Sequence, residues 1–254
     1  MAIELMEITD ILLLIGAGLL AGIINTLAGG GSLITLPLLI FMGLPPVDAN
    51  ASNRVALFVQ NVFAVQGFRS KGVFIFPYSF WVAISAAIGA IVGAKIAIDI
   101  SGELFRRILA VVMVMVMVMT ALKPYLTRSN MGEVFTKGRV GLSIFLFFFV
   151  GVYGGFIQAG VGFLVIAVLS NVHGLNMAKT NSIKVFVILI YTIFALIVFF
   201  IEDKIHWEYG LILAIGNATG GWVASRWSVG KDDKWIRLFL IVTVVALAIK
   251  LWFF

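Results

Sequence analysis

The sequence predicts an all-α polytopic membrane protein of two pseudo-symmetric, inverted repeats. Each repeat is expected to open on a glycine-broken, re-entrant segment and to continue through three transmembrane helices. Three observations carry that reading. The chain is 62% hydrophobic and only 12% charged over 254 residues, with a mean hydropathy of +1.13. Two uncharged stretches have a length that suits neither one membrane crossing nor two. Short motifs of the first half recur in the second, in the same order and at an offset near 130 residues.

Composition narrows the class. No soluble domain of this size needs so much apolar surface, and the largest polar segment is only Lys123 to Arg139. The opening "MAIELMEITD" holds three acids and no Lys or Arg, unlike the basic start of a signal peptide. Cysteine is absent, which excludes disulfides, thiolate metal sites and cysteine nucleophiles. The net charge of +6 sits mostly in loops, where a positive-inside bias accounts for it without a nucleic-acid partner.

The first element runs uncharged from Ile11 to Val47, 37 residues. One continuous helix of that length would span about 55 Å, against about 30 Å of hydrocarbon. Two spans with a turn would need slightly more than about 40 residues. A long helix, a break at Gly29–Gly30–Gly31 and a shorter helix fit the length. Non-helical backbone at membrane depth survives only when buried in protein or lining a water-filled cavity. The break frees N–H groups near Ser32 and C=O groups near Asn25 and Leu27, which marks this point as a candidate transport site. Gly18–Gly22 and Gly89–Gly93, spaced i,i+4, are assigned to close helix packing instead.

A spanning helix is expected next, from Ala49 to Phe68, with Asp48 as its N-cap and Arg69 and Lys71 past its far end. Asn53, Gln60 and Asn61 fall on one stripe of it. The later run "VMVMVMVM", Val112 to Met119, alternates like a strand. It is read as helix, because an open strand in lipid leaves its backbone unpaired. A polar linker, Thr127 to Arg139, divides the chain into a first repeat over 1–126, the linker over 127–139 and a second repeat over 140–254.

The second half restates the plan. Val140 to Ala178 gives 39 uncharged residues, with Gly160 and Gly162 placed to break the helix. Gly18 falls on Gly151, Gly22 on Gly155, Asn25 on Gln158 and Gly29 on Gly162. "ASNR" from Ala51 falls on "NSIK" from Asn181, Lys95 on Arg226, and "ELFRRIL" from Glu103 on "DKWIRLF" from Asp233. Asn176 is placed to cap a helix from Met177 to about Phe200.

Arg54 and Lys184 thus lie near matching helix starts, where a cation opposes the helix dipole. Such a cation is tolerated if it snorkels to the interface or if an anion sits beside it. Snorkelling suits Lys179. The matched placement of Arg54 and Lys184 favours an oxyanion site between the repeats. Inverted repeats gather twelve cations on one side of the membrane and six on the other, so the linker is expected in the cytoplasm and both termini outside.

The stretch "GLLAGIINTLAGGGSLITLPLLIFMGLPPVDANASNRVAL" with "GFRSKG" resembles the N-terminal signature of the sulfite exporter TauE/SafE family, also called the four-toluene-sulfonate-uptake (TSUP) family. "GVYGGFIQAGVGFLVIAVLSNVHGLNMAKTNSIK" resembles that family's second repeat. The likeness spans essentially the whole chain. It implies a secondary transporter of sulfur-containing anions such as sulfite, sulfoacetate or other sulfonates, without a cofactor. It singles out Asn25, Gly29, Gly30, Gly31, Ser32, Asn53 and Arg54 in the first half. In the second half it singles out Gln158, Gly160, Gly162, Asn181, Ser182 and Lys184.

The expected setting is a multi-pass protein of the cytoplasmic membrane, with a small anion as ligand, protons as the candidate coupling ion and a homodimer as the candidate assembly. Enzymatic readings have little support. There is no HExxH, "GGGS" lacks the GK of a phosphate loop, and His173 and His206 are expected as solvated residues near helix ends. A passive anion channel and a carrier of non-sulfur carboxylates remain as alternatives, and accumulation against a gradient separates carrier from channel.

Overall fold

The structure, a computed structural model, describes residues 6–126 and 132–229. The described residues form helices and connections, with no strand among them. In chain order the helices are α1 (Ile8–Leu27), α2 (Ser32–Phe41), α3 (Pro46–Arg69), α4 (Tyr78–Asp99), α5 (Gly102–Leu126), α6 (Lys137–Phe156), α7 (Val161–His173), α8 (Met177–Ile201) and α9 (Trp207–Ser228). The alternating Val-Met run lies within α5 and is helical. Part of the polar linker and the stretch from Asp233 lie outside the described residues.

Both uncharged stretches are broken where the glycines fall. α1 stops at Leu27 and α2 resumes at Ser32; α6 stops at Phe156 and α7 resumes at Val161. α2 has 10 residues and α7 has 13, about 15 and 20 Å, too short to cross the hydrocarbon. α1, α4, α6 and α8 are long and apolar enough to cross a membrane.

Many large apolar side chains point outward. Ile8, Phe41, Ile88, Phe145 and Ile201 are all more than half exposed, a surface suited to lipid rather than water. Inside, buried Phe68, Phe105, Phe147 and Phe199 share the core with small residues, and at the glycines the helix backbones approach closely. Gly18 and Gly22 of α1 lie against α9, where a Cβ would stand 2.5 Å from Leu213 O and Asn217 O. Gly89 and Gly93 of α4 lie against α6, where a Cβ would stand 2.8 Å from Val152 N and 2.7 Å from Phe156 N. The packing assignment of both glycine pairs holds.

The two sequence halves interlock. α9 packs on α1 and α3, while α4 packs on α6 and α8. α3 is 24 residues long but carries buried Asn50, Ser52, Asn53, Arg54, Gln60 and Asn61. It lies between α8 and α9, inside the bundle.

Two expectations need correction. α3 starts at Pro46, with Asp48 inside its first turn and not at the cap. A proline at the first helical position loses no bond there, because that N–H has no partner in the helix. Asp48 instead meets His206 Nε2 at 3.2 Å. His173 is not solvated. It is fully buried, with Nδ1 2.8 Å from Val134 O and Nε2 2.7 Å from Ser143 Oγ. Its ring stacks on Phe135 and meets Tyr78 edge-on. The expectation for Asn176 holds: it caps α8 by accepting from Lys179 N. The Lys179 side chain reaches Glu133 at 2.7 Å, partly exposed.

Candidate functional site: a crossing of two broken helices

The two breaks meet at a glycine pair. A Cβ on Gly29 would stand 2.7 Å from Gly162 C and 2.9 Å from Gly162 N, and closer still to its Cα. Only two glycines let the loops cross at this separation. Gly29 has φ +90, a left-handed conformation that side chains disfavour. Gly30 lies under the Phe163 ring, and Gly31 lies against Ala21 and Asn25. Asn25 Oδ1 accepts from Gly31 N at 2.7 Å, so the side chain at the end of α1 holds the turn into α2.

Helices α1 and α6 stop at the breaks and leave carbonyls without intrahelical partners. The two buried cations take them, each from the other half of the chain. Arg54 Nη1 donates to Gly154 O at 2.9 Å, and Nη2 donates to Gly155 O at 2.7 Å, both in the last turn of α6. Nη1 also donates to Gln158 Oε1 at 2.8 Å, and the guanidinium lies over the Phe199 ring. Lys184 Nζ donates to Thr26 O in the last turn of α1 and to Asn181 Oδ1, each at 2.8 Å. Asn181 Nδ2 donates to Leu27 O at 3.2 Å. Cations at helix C-termini are electrostatically favoured, which resolves the conflict each has with the start of its own helix.

Beside the crossing lies a small polar cavity lined by Asn25, Ser32, Gln60, Asn61 and Gln158, with Leu57, Val161 and Ile188 as its apolar wall. It has room for little more than one water-sized sphere. Asn25 Nδ2 donates to Gln60 Oε1 at 3.2 Å across it. Gln158 joins the cavity to Arg54.

The expected site residues therefore divide. Asn25, Ser32 and Gln158 line the cavity. Gly29, Gly30, Gly31, Gly160 and Gly162 form the two breaks, with Gly160 as the residue before α7. Arg54, Asn181 and Lys184 hold the helix ends. Asn53 accepts from Thr35 Oγ1 at 2.7 Å and does not line the cavity. Ser182 donates to Val73 O at 2.7 Å, in the connection after α3, away from the crossing. Sequence reasoning left Gln60 and Asn61 out of the site, although they stood on the polar stripe of α3. Among the described residues, no three His, Cys, Asp or Glu side chains come together as metal ligands.

Comparison with known proteins gives a consistent result. A family model described as "Sulfite exporter TauE/SafE" matches residues 14–251. Over 92% of its length the chain is 28% identical to a probable membrane transporter protein, ORF9, of Sinorhizobium sp., covering 89% of that relative. It is 27% identical to the probable membrane transporter protein YfcA of Escherichia coli K12, covering 86% of it. It is 22% identical to a probable membrane transporter protein of Haemophilus influenzae, covering 91% of it. No solved structure matches the chain.

Proposed function

The chain belongs to the sulfite exporter TauE/SafE family, and on that premise we propose that it is a secondary transporter, not an enzyme, of small sulfur-containing anions. Sulfite and organosulfonates such as sulfoacetate are the substrates this reading names. The anion is held where the two broken helices cross, between repeats 1–126 and 140–254, in the cytoplasmic membrane.

One observation carries the reading. Two cations, Arg54 and Lys184, are fully buried at the ends of broken helices, while no Asp or Glu among the described residues is buried. A cation at mid-bilayer costs about 2.5–3.5 kcal/mol by insertion scales. The neighbouring cavity offers amide and hydroxyl donors from Asn25, Ser32, Gln60, Asn61 and Gln158, the neutral donor set that orients an oxyanion. The cavity must widen to take any such anion. The crosswise bonds from Arg54 to α6 and from Lys184 to α1 are the contacts through which the anion would alter how the two halves fit together.

The test is flux in liposomes containing the purified protein. Sulfite, sulfoacetate, taurine and sulfate are compared, with and without a proton gradient. Accumulation of sulfite or sulfoacetate above its external concentration supports a coupled carrier. Flux that only equilibrates identifies a channel, and no flux of any of the four removes the sulfur-anion reading.

A further inference from the structure

The hydrogen bonds around the cavity fix which way each of its amides faces. Gly31 N donates to Asn25 Oδ1 at 2.7 Å, which leaves Asn25 Nδ2 to donate to Gln60 Oε1 at 3.2 Å. Arg54 Nη1 donates to Gln158 Oε1 at 2.8 Å. The oxygens of Asn25, Gln60 and Gln158 are thus each engaged by a donor of the protein. The amide N–H groups of Gln60 and Gln158 are what these side chains keep for a guest, and Ser32 adds a hydroxyl. Asn61 is the exception. Its Nδ2 donates to Leu57 O at 2.7 Å, one turn back on α3, and this turns Oδ1 away from its own helix backbone. Oδ1 is buried and has no donor, on a residue that is 1% exposed and lines the same cavity. A buried acceptor without a partner is destabilising, and a guest that supplies an O–H or N–H recovers that loss.

From this pattern we infer that the site prefers a small oxyanion that also carries one hydrogen-bond donor, such as hydrogensulfite in its O–H form or a sulfonate with a neighbouring hydroxyl. The inference rests on the anion-carrier reading and names the substrate class of that same site. The oxygens of the anion accept from Gln60, Gln158 and Ser32, and the O–H of the guest donates to Asn61 Oδ1. An ion of the same shape with a methyl in place of the hydroxyl leaves Oδ1 unpaired and displaces any water that had reached it. Asn61 is therefore the specificity-determining residue, and the recognised feature is the donor rather than the sulfur.

Binding to the purified protein is measured at neutral pH through the shift in its melting temperature. The probes are two isosteric pairs: isethionate against propanesulfonate, and glycolate against propionate. In each pair a hydroxyl stands in place of a methyl, and the charge is the same. The hydroxylated ion should bind at least about fivefold more tightly than its counterpart. Asn61→Leu removes the acceptor, while Leu57 O keeps its backbone partner within α3, and should bring both ratios toward one. Asn61→Ser restores an acceptor oxygen and should recover part of the preference. Equal binding within both pairs by the parent protein would overturn the donor preference and leave the anion-carrier reading standing, whether or not Asn61→Leu folds. Ratios unchanged in a folded Asn61→Leu would overturn the assignment to Asn61. Failure of all four probes to bind would overturn both the inference and the anion-carrier reading.

Discussion

Replacing Gly29 with alanine tests the crossing of the two breaks most sharply, because two separate penalties meet there. The first is conformational. Gly29 has φ +90, and a left-handed residue with a Cβ costs about 1–2 kcal/mol. The second is steric. The new Cβ would stand 2.7 Å from Gly162 C, and ordinary contact begins at 3.4 Å, so the backbones must part by at least 0.7 Å. Overpacking of this kind costs about 1–3 kcal/mol. Two other glycines separate the penalties. Gly43 has φ +95 but nothing within 4 Å of its Cβ position, so Gly43→Ala carries the first alone. Gly162 lies outside the left-handed region, yet its Cβ would stand 3.1 Å from Gly29 C and closer to its Cα, so Gly162→Ala carries the second alone. Melting in detergent should rank Gly29→Ala below both, by about 2–5 kcal/mol against the parent. Uptake into liposomes should fall in Gly29→Ala and Gly162→Ala, whose shifted loops carry Ser32 and Gln158, and persist in Gly43→Ala. A Gly29→Ala protein no less stable than Gly43→Ala, with normal uptake, would refute the tight crossing.

Other perturbations reach other parts of the account. Arg54→Lys keeps the charge but cannot span Gly154 O, Gly155 O and Gln158 at once. It should lose about 1.5–3 kcal/mol of stability and most uptake, while Lys184→Arg is milder, as thermal melting and flux together will show. His173→Ala removes the bonds to Val134 O and Ser143 and the stacking on Phe135. It should cost about 2–4 kcal/mol in melting experiments and leave the substrate affinity of the folded fraction unchanged. Asp48→Asn weakens a partly exposed pair with His206 and should cost less than about 1 kcal/mol, diminishing further in high salt. Inverted repeats, as the sequence predicts them, would put the α3–α4 connection inside and the α8–α9 connection outside. In intact cells, a cysteine at Asp203 should therefore react with an impermeant thiol reagent and one at Lys71 should not. Labelling at Lys71 would contradict the inversion.

Much of the helical plan was legible because it depends on local constraints. Charge-free length and consecutive glycines located both breaks to within a few residues. Asn176 identified the start of α8, since an Asn cap works through its own neighbouring backbone. The start of α3 was misread for a local reason too, the proline at its first position outweighing the acid two residues on. What stayed hidden depends on distant partners. His173 is buried by Val134, Phe135, Ser143 and Tyr78, drawn from three other parts of the chain. The sequence showed that Arg54 and Lys184 needed negative partners. It could not show that each faces a carbonyl end of the opposite half, because that pairing exists only once α3 meets α6 and α8 meets α1. The stripe of Asn53, Gln60 and Asn61 signalled polarity without direction, and packing turned only Gln60 and Asn61 to the cavity.

The central claim is a location: the anion sits at the crossing of the broken helices. The chain has no cysteine, so a single Ser32→Cys variant places one thiol on the cavity wall without background. Its alkylation rate is measured in liposomes with and without saturating sulfoacetate, alongside Lys71→Cys as a thiol far from the cavity. The account predicts that sulfoacetate slows alkylation of Ser32→Cys several-fold and leaves Lys71→Cys unaffected. Equal rates at Ser32→Cys with and without sulfoacetate, in a variant that still transports it, would contradict the claim.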